Sequence, residues 1–215
     1  MQNFNLNIFL WQILIVESDA IAIDLDDTIA NSSEVALDII RREFAPDASY
    51  EKWKYFSIEK SFGIAEAHAI EIFRRTWENP KKIKLVDPSI PQIVNRLREK
   101  HKIYIVTATI GEESSFIPWL ESKRISFDRI MHVAHSAEKV SLHEKHGIGF
   151  YIDDYPLVAE SVAAAGRTAL LLRKSWNADF FDKDRTKGII KVRNWEEINN
   201  FFASKEAKPF SNDKK

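Results

Sequence analysis

The sequence predicts an α/β protein built on a doubly wound parallel sheet, with a small helical cap inserted after the first strand. Three observations predict it. Short apolar runs alternate with amphipathic stretches of helical period, as in successive βαβ units. The runs are apolar at nearly every residue, which implies a sheet covered on both faces. One long stretch, residues 32–87, holds helical patterns but no strand-like run.

Taken in order, Ala20-Ile21-Ala22-Ile23-Asp24 reads as a buried strand that ends in charge. Residues 32–87 follow, with helical patterns over Val35 to Phe44 and Ile64 to Trp77; inserted directly after the first strand, they should cover the carboxyl edge of the sheet. Ser89-Ile90-Pro91-Gln92 resembles a capping box opening a helix whose inner face is Ile93, Val94 and Leu97. The later strands are expected at Lys102 to Thr107, Arg129 to Val133, Gly149 to Asp153 and Thr168 to Leu172, with Ile189 to Val192 as an edge strand. Helices are expected over Glu112 to Lys123, Ala137 to His146, Pro156 to Ala165 and Trp195 to Phe202, with Gly166 stopping the third of these four. The division is then residues 20–31 and 88–202 for the α/β core and 32–87 for the cap. Residues 1–19 form an N-terminal arm or extra strand, and 203–215, rich in Lys, Ser and Asp, a disordered tail.

Composition limits the function. The chain has 215 residues, 45% of them hydrophobic and 29% charged, which suits a soluble globular protein. A net charge of -1 supplies no field for nucleic acid or an acidic membrane. The absence of cysteine excludes disulfides, thiol catalysis and cysteine-ligated metals, and agrees with a cytoplasmic location. The apolar stretch Ile8 to Val16 falls short of the roughly 20 residues needed to span a bilayer, and no Lys or Arg precedes it as in a signal peptide. No membrane partner is expected, and a homo-oligomer is compatible with the sequence.

The chemistry gathers at strand ends. The first strand runs into Asp24-Leu25-Asp26-Asp27-Thr28, placing carboxylates together at the edge where open parallel sheets bind ligands. Crowded carboxylates repel unless a cation or a shared proton relieves them. Thr107 ends the second run with a hydroxyl, Lys139 precedes the fourth, and Asp153-Asp154 closes it. Hard oxygen ligands without Cys or paired His favour magnesium over zinc. Carboxylates, one ammonium and one hydroxyl are also what phosphoryl transfer needs: a nucleophile, charge neutralisation and an acid for the leaving group.

On these residues the chain resembles the haloacid dehalogenase-like hydrolases, whose motifs are Asp-x-Asp-x-Thr, a strand ending in Ser or Thr, a Lys, and an acidic pair after a strand. Asp24/Asp26/Thr28, Thr107, Lys139 and Asp153/Asp154 match in order across Ile21 to Leu172. The resemblance implies a Rossmann-like core and magnesium, with Asp24 as nucleophile and metal ligand. Asp26 would be the general acid and then base, its backbone carbonyl also on the metal. Thr107 and Lys139 would hold the phosphoryl group, Lys139 pairing with Asp24, and one or both of Asp153 and Asp154 would hold the magnesium, with Asp154 favoured as the direct ligand. Thr28 and Ala108 would lie beside the substrate. An Asp at position 26 points to a phosphatase rather than a dehalogenase.

The short cap, the spacing of Lys139 to Asp153-Asp154-Tyr155 and the ending Val192-Arg193-Asn194-Trp195 further resemble the 5'(3')-deoxyribonucleotidase group. That implies a nucleoside 5'-monophosphate as substrate; a sugar phosphate or phosphoglycolate is the alternative, and a catalytically silent phosphate-binding protein of this fold is another. The neutral Ala108-Thr109-Ile110 departs from that group, where a basic residue follows the Thr. Among the cap aromatics, Tyr55 and Phe56 are the candidates to stack a base, the others being expected in the cap's own core. Asp27 is expected to cap the segment that follows it. His132, His135, His143 and His146 are expected at the surface, and Arg173-Lys174 is expected to be a solvated pair.

Overall fold

The computed structural model describes residues 20–110, 113–181 and 187–206, with Glu144 described in its backbone alone. Strands β1 (Ala20–Ile23), β2 (Ile103–Thr107), β3 (Arg129–His132), β4 (Ile148–Asp153), β5 (Thr168–Leu172) and β6 (Ile189–Val192) form one sheet in the order β3-β2-β1-β4-β5-β6. Every pairing is parallel. The sheet is therefore doubly wound, and the strand order reverses beside β1, which opens a crevice at the carboxyl ends of β1 and β4.

Side-chain alternation divides the core into two layers. Ile21, Ile23, Ile103 and Ile105 face helices α4 (Ile90–Arg98), α5 (Glu113–Ser122) and α9 (Trp195–Glu206), the last of which follows the short α8 (Ala178–Phe181) and β6; Val94, Phe116, Leu120, Trp195 and Phe202 are buried against them. Ala20, Ala22, Tyr104 and Val106 face the other way, towards Val158, Ala159 and Val162 of α7 (Pro156–Ala164). The register between β1 and β4 slips once: Ala20 pairs with Ile148 but Ile21 with Phe150. Ile148 and Tyr151 consequently share a layer although they are three residues apart.

Between β1 and α4 the chain forms α1 (Ser32–Glu43), α2 (Ile58–Phe62) and α3 (Glu66–Thr76). Their apolar faces make a third cluster through Leu37, Ile40, Ile58 and Ile72, closed by Trp53. Trp176 joins it from the loop after β5. Trp53 lies 5.0 Å from Trp176 and 5.7 Å from Phe62, so it belongs to the cap's core.

Local differences from the sequence reading have physical causes. Ser89 begins α4 without a side-chain cap; its hydroxyl donates instead to Asp87 Oδ1 at 2.7 Å, so no capping box forms. The helix expected over Ala137 to His146 is a 3-10 segment, Ser136–Ser141, followed by the short α6 (Leu142–His146). Gly166 ends α7 with φ of 74°, a conformation that favours glycine. Helix α9 continues through residues 203–206, expected in the tail, because Phe202 is still buried and carries the helix on. The N-terminal arm and residues 207–215 lie outside the described residues. No described helix is long and apolar enough to cross a membrane.

Candidate active site

The loop after β1 is wound tightly. Ile29 and Ala30 donate their backbone N–H groups to Leu25 O at 3.0 and 2.8 Å, and Asp27 sits inside this turn with φ of 55°. Asp27 Oδ1 accepts from the Ser33 backbone at 3.0 Å and so caps the start of α1, as the sequence suggested. The winding leaves the Asp24 and Asp26 side chains on the cavity at the carboxyl edge of the sheet.

Three strand ends meet there. Lys139 Nζ, 3% exposed, donates to Asp24 Oδ1 at 2.7 Å and to Asp153 Oδ2 at 2.9 Å. The 3-10 segment that carries Lys139 is tied back to the sheet, since Tyr151 donates its hydroxyl to Lys139 O at 2.8 Å. Thr107, fully buried at the end of β2, accepts from the Thr109 backbone at 3.1 Å and lines the cavity with Ala108. Asp153 Oδ1 accepts from the Tyr155 backbone at 2.8 Å. Asp154 Oδ2 accepts from Trp176 Nε1 at 2.7 Å.

Among the described residues no hydrogen bond reaches Asp24 Oδ2 or Asp154 Oδ1. Oxygens of Asp24, Asp153 and Asp154 lie within 4.8 Å of one another, a spacing that fits one metal ion. Four carboxylates here are buried, Asp24, Asp27, Asp153 and Asp154, against two ammonium groups, Lys139 and Lys174. Fully ionised, the group carries two surplus negative charges, which one divalent cation balances. Oxygen donors alone, with one or two carboxylates bearing unused oxygens, suit magnesium. Without a cation, burial pushes the Asp24 carboxyl up to about 8, against the pull of Lys139. Burial, reinforced by Asp153 and Asp24, also raises Asp154 well above the usual carboxylate range. Burial opposes the charge on Lys139, but Asp153 and Asp24 outweigh it and raise the Lys139 pKa.

The cavity measures about 350 Å³, the size of a small-ligand site. Its cap side is Trp53, Phe56, Ile58, Ala69, Ile70 and Phe73, with Ser57 and Glu59 as polar members. Phe56 lies face to face with Tyr155 at 3.8 Å, joining cap and core at the opening.

The comparisons with known proteins give a consistent architecture. A haloacid dehalogenase-like hydrolase from Streptococcus pneumoniae superposes with a TM-score of 0.63 at 18% identity, over 87% of this chain and 100% of that one. A predicted phosphoglycolate phosphatase from Haemophilus somnus gives 0.60 at 16% identity, over 87% and 99% of the two chains. A protein assigned as a β-phosphoglucomutase from Thermotoga maritima gives 0.56 at 15%, over 88% and 100%. The fold is that of the haloacid dehalogenase-like hydrolases. No family model matches the chain, and no curated protein matches it in sequence. None of these three structures is named as a nucleotidase.

Within this haloacid dehalogenase-like fold, Asp24, Asp26, Thr107, Ala108, Lys139, Asp153 and Asp154 all line one cavity, and Phe56 joins them. Thr28 does not. It is fully buried, its Oγ1 meets no partner among the described residues, and its carbonyl accepts from Trp195 Nε1 at 2.9 Å, because the turn rotates it into the core. Tyr55 is 56% exposed and stands off the cavity, since its backbone is tied outward to Ser61 Oγ at 3.0 Å. Among the described residues the three aspartates are the only group of His, Asp and Glu side chains placed to hold a metal, and no histidine joins it.

Sequence reasoning missed two kinds of participant. Lys174 is only 9% exposed rather than solvated, while Arg173 beside it is exposed. Asn177 folds the loop back, accepting from the Lys174 backbone and donating to Asp154 O and Leu172 O, all at 2.8 Å. Trp77 was grouped with the cap aromatics, yet its indole joins the main core and donates to Asp26 Oδ1 at 3.0 Å. Neither contact leaves a periodic trace in the sequence.

Proposed function

We propose that this chain is a magnesium-dependent phosphomonoester hydrolase working through an aspartyl-phosphate on Asp24. The observation that carries the reading is the double bridge from Lys139 to Asp24 and Asp153 inside a buried, acid-rich cluster. Buried charges in surplus cost several kcal/mol each unless paired, which supports a divalent cation as the missing partner. The fold shared with haloacid dehalogenase-like hydrolases supports the same reading.

In the proposed reaction a carboxylate oxygen of Asp24 attacks phosphorus while the bond to the leaving oxygen breaks, its electron pair staying with that oxygen. Asp26 supplies the proton to the leaving oxygen. Asp26 then takes a proton from the water that attacks the aspartyl-phosphate at phosphorus, and Asp24 departs as a carboxylate from inorganic phosphate. Thr107 and Lys139 steady the phosphoryl oxygens. Magnesium, when bound, offsets the charge on those oxygens. The unused oxygens of Asp24 and Asp154, with the Asp26 carbonyl, would hold it, and Asp153 would act from behind through Lys139.

The substrate is a small phosphorylated metabolite. By name alone, the phosphoglycolate phosphatase and β-phosphoglucomutase structures favour a sugar phosphate or phosphoglycolate over a nucleotide; the charge and polarity of this chain's own cavity decide among small phosphomonoesters. The nucleoside 5'-monophosphate suggested by sequence gains no support from those names and rests on the sequence resemblance together with the aromatic lining. Hydrolysis of p-nitrophenyl phosphate with and without magnesium tests the reaction. Metal-dependent turnover is expected, and equal turnover in excess chelator would overturn the reading.

A further inference from the structure

We propose that the site selects phosphomonoesters whose alcohol portion carries no negative charge and presents a broad apolar face, an inference that rests on the phosphatase reading above. Six carboxylates line the cavity, Asp24, Asp26, Asp27, Glu59, Asp153 and Asp154. Among the described residues lining it, Lys139 is the sole cation, and both Asp24 and Asp153 already hold it. One divalent cation and one phosphoryl group together leave this balance unchanged. Any further anion on the leaving group therefore enters a negative field with no cation to meet it. Glu59 makes this worse on the cap side, where the leaving group must lie. Its carboxylate accepts one hydrogen bond there, from Ser57 at 2.5 Å.

The same wall argues against a leaving group rich in hydroxyls. Hydroxyls set against Phe56, Ile58, Ala69, Ile70 and Phe73 would lose water without replacement, the polar groups on this side being confined to Ser57, Glu59 and the buried Trp53 Nε1. A ring or hydrocarbon face suits these residues, and that separates this chain from the substrates its fold neighbours are named for. The test compares kcat/KM for phenyl phosphate and 4-carboxyphenyl phosphate, with phosphoglycolate as a third substrate. Phenyl phosphate is expected to exceed both anionic esters by at least about tenfold, and Glu59→Gln to narrow its lead over the carboxyphenyl ester by about threefold. Equal or faster turnover of either anionic ester by the unmodified protein would overturn the proposal while leaving the phosphatase reading intact. Failure of every ester with magnesium present would remove the reading itself.

A separate observation concerns Asp26. We infer that Trp77 is a positioning residue for this acid. Its indole N–H donates to Asp26 Oδ1 at 3.0 Å, and the ring is 2% exposed, set edge-on to Phe116 at 4.9 Å and Trp119 at 5.7 Å. The donor is therefore fixed in direction and holds one rotamer of a partly exposed carboxyl group that has to reach the leaving oxygen. Trp77→Phe keeps the ring and removes the donor. The readout is kcat/KM, which reports formation of the aspartyl-phosphate and not its hydrolysis. For an alkyl phosphate, whose alkoxide needs its proton, it should fall about tenfold or more; for p-nitrophenyl phosphate, whose leaving group needs none, it should fall less than about threefold. Trp119→Phe loosens the same aromatic cluster without touching Asp26 and should show no such split. Equal losses on both esters in Trp77→Phe would overturn the inference.

Discussion

On the sheet side of the cavity the functional groups are charged or hydroxyl side chains at or beside strand ends, and Asp24, Asp26, Lys139 and Asp154 are held by partners distant in sequence. On the cap side the wall is apolar, and its side chains are held by packing within short helices. Lys139 reaches Asp24 across 115 residues of chain, whereas Ile58, Ala69 and Phe73 are held within the cap's own cluster. The contrast teaches that the two walls answer different needs. Reaction chemistry requires fixed charge, and a backbone-defined sheet edge supplies it. Selection among leaving groups requires a shape that can change, and a small helical insertion supplies that.

Substitutions on the sheet side should therefore cost far more than substitutions on the cap. Asp24→Asn should lower kcat at least about a thousandfold, measured on p-nitrophenyl phosphate, with the fold retained by circular dichroism. Asp154→Asn comes next. It should raise the magnesium concentration needed for half-maximal activity by about 10- to 100-fold, because it removes a metal oxygen and alters the group that Trp176 orients.

A third prediction uses the raised carboxyl groups. Metal-free protein keeps a proton on Asp24 up to about pH 8, whereas the unfolded chain releases it near 3.8. Stability from that proton is complete below the lower value and lost as pH rises through the upper one. Magnesium replaces the proton, so its stabilising effect should grow across this window. Thermal unfolding should show a magnesium-induced rise in Tm that is several degrees larger at pH 8 than at pH 5. A shift independent of pH would mean that these carboxyl groups do not hold the ion. The smallest effect is expected on the cap, where Phe73→Leu should raise KM for phenyl phosphate about threefold and leave kcat nearly unchanged. A large fall in kcat there would erase the distinction between the walls.

The same contrast explains what was legible in the sequence. Asp24, Thr107 and Asp153 stand where an apolar run stops, and a parallel sheet aligns all such ends on one edge. Strands β1, β2, β4 and β5 were legible for the same reason, because burial on both faces writes a continuous apolar signal, whereas the edge strands β3 and β6 are partly exposed. Lys139 lies in a 3-10 segment with no periodicity of its own, so its place followed from motif order. The cap wall was not legible, since an apolar residue on a short helix serves equally as core or lining. Phe56 and Tyr55 are neighbours in sequence, yet only Phe56 reaches the cavity. Thr28 was misplaced because a tight turn with a left-handed residue at Asp27 reverses side-chain directions within two positions. Lys174 was misread because its burial depends on Asn177 folding the loop onto Asp154.

The most direct measurement is the mass of the protein quenched in acid during turnover of p-nitrophenyl phosphate with magnesium, followed by peptide mapping. An adduct of one phosphoryl group on the peptide containing Asp24 is predicted, absent in Asp24→Asn and accumulated in Asp26→Asn, where the water is no longer activated. A phosphoryl group on any other residue, or steady turnover with no adduct in Asp26→Asn, would contradict it.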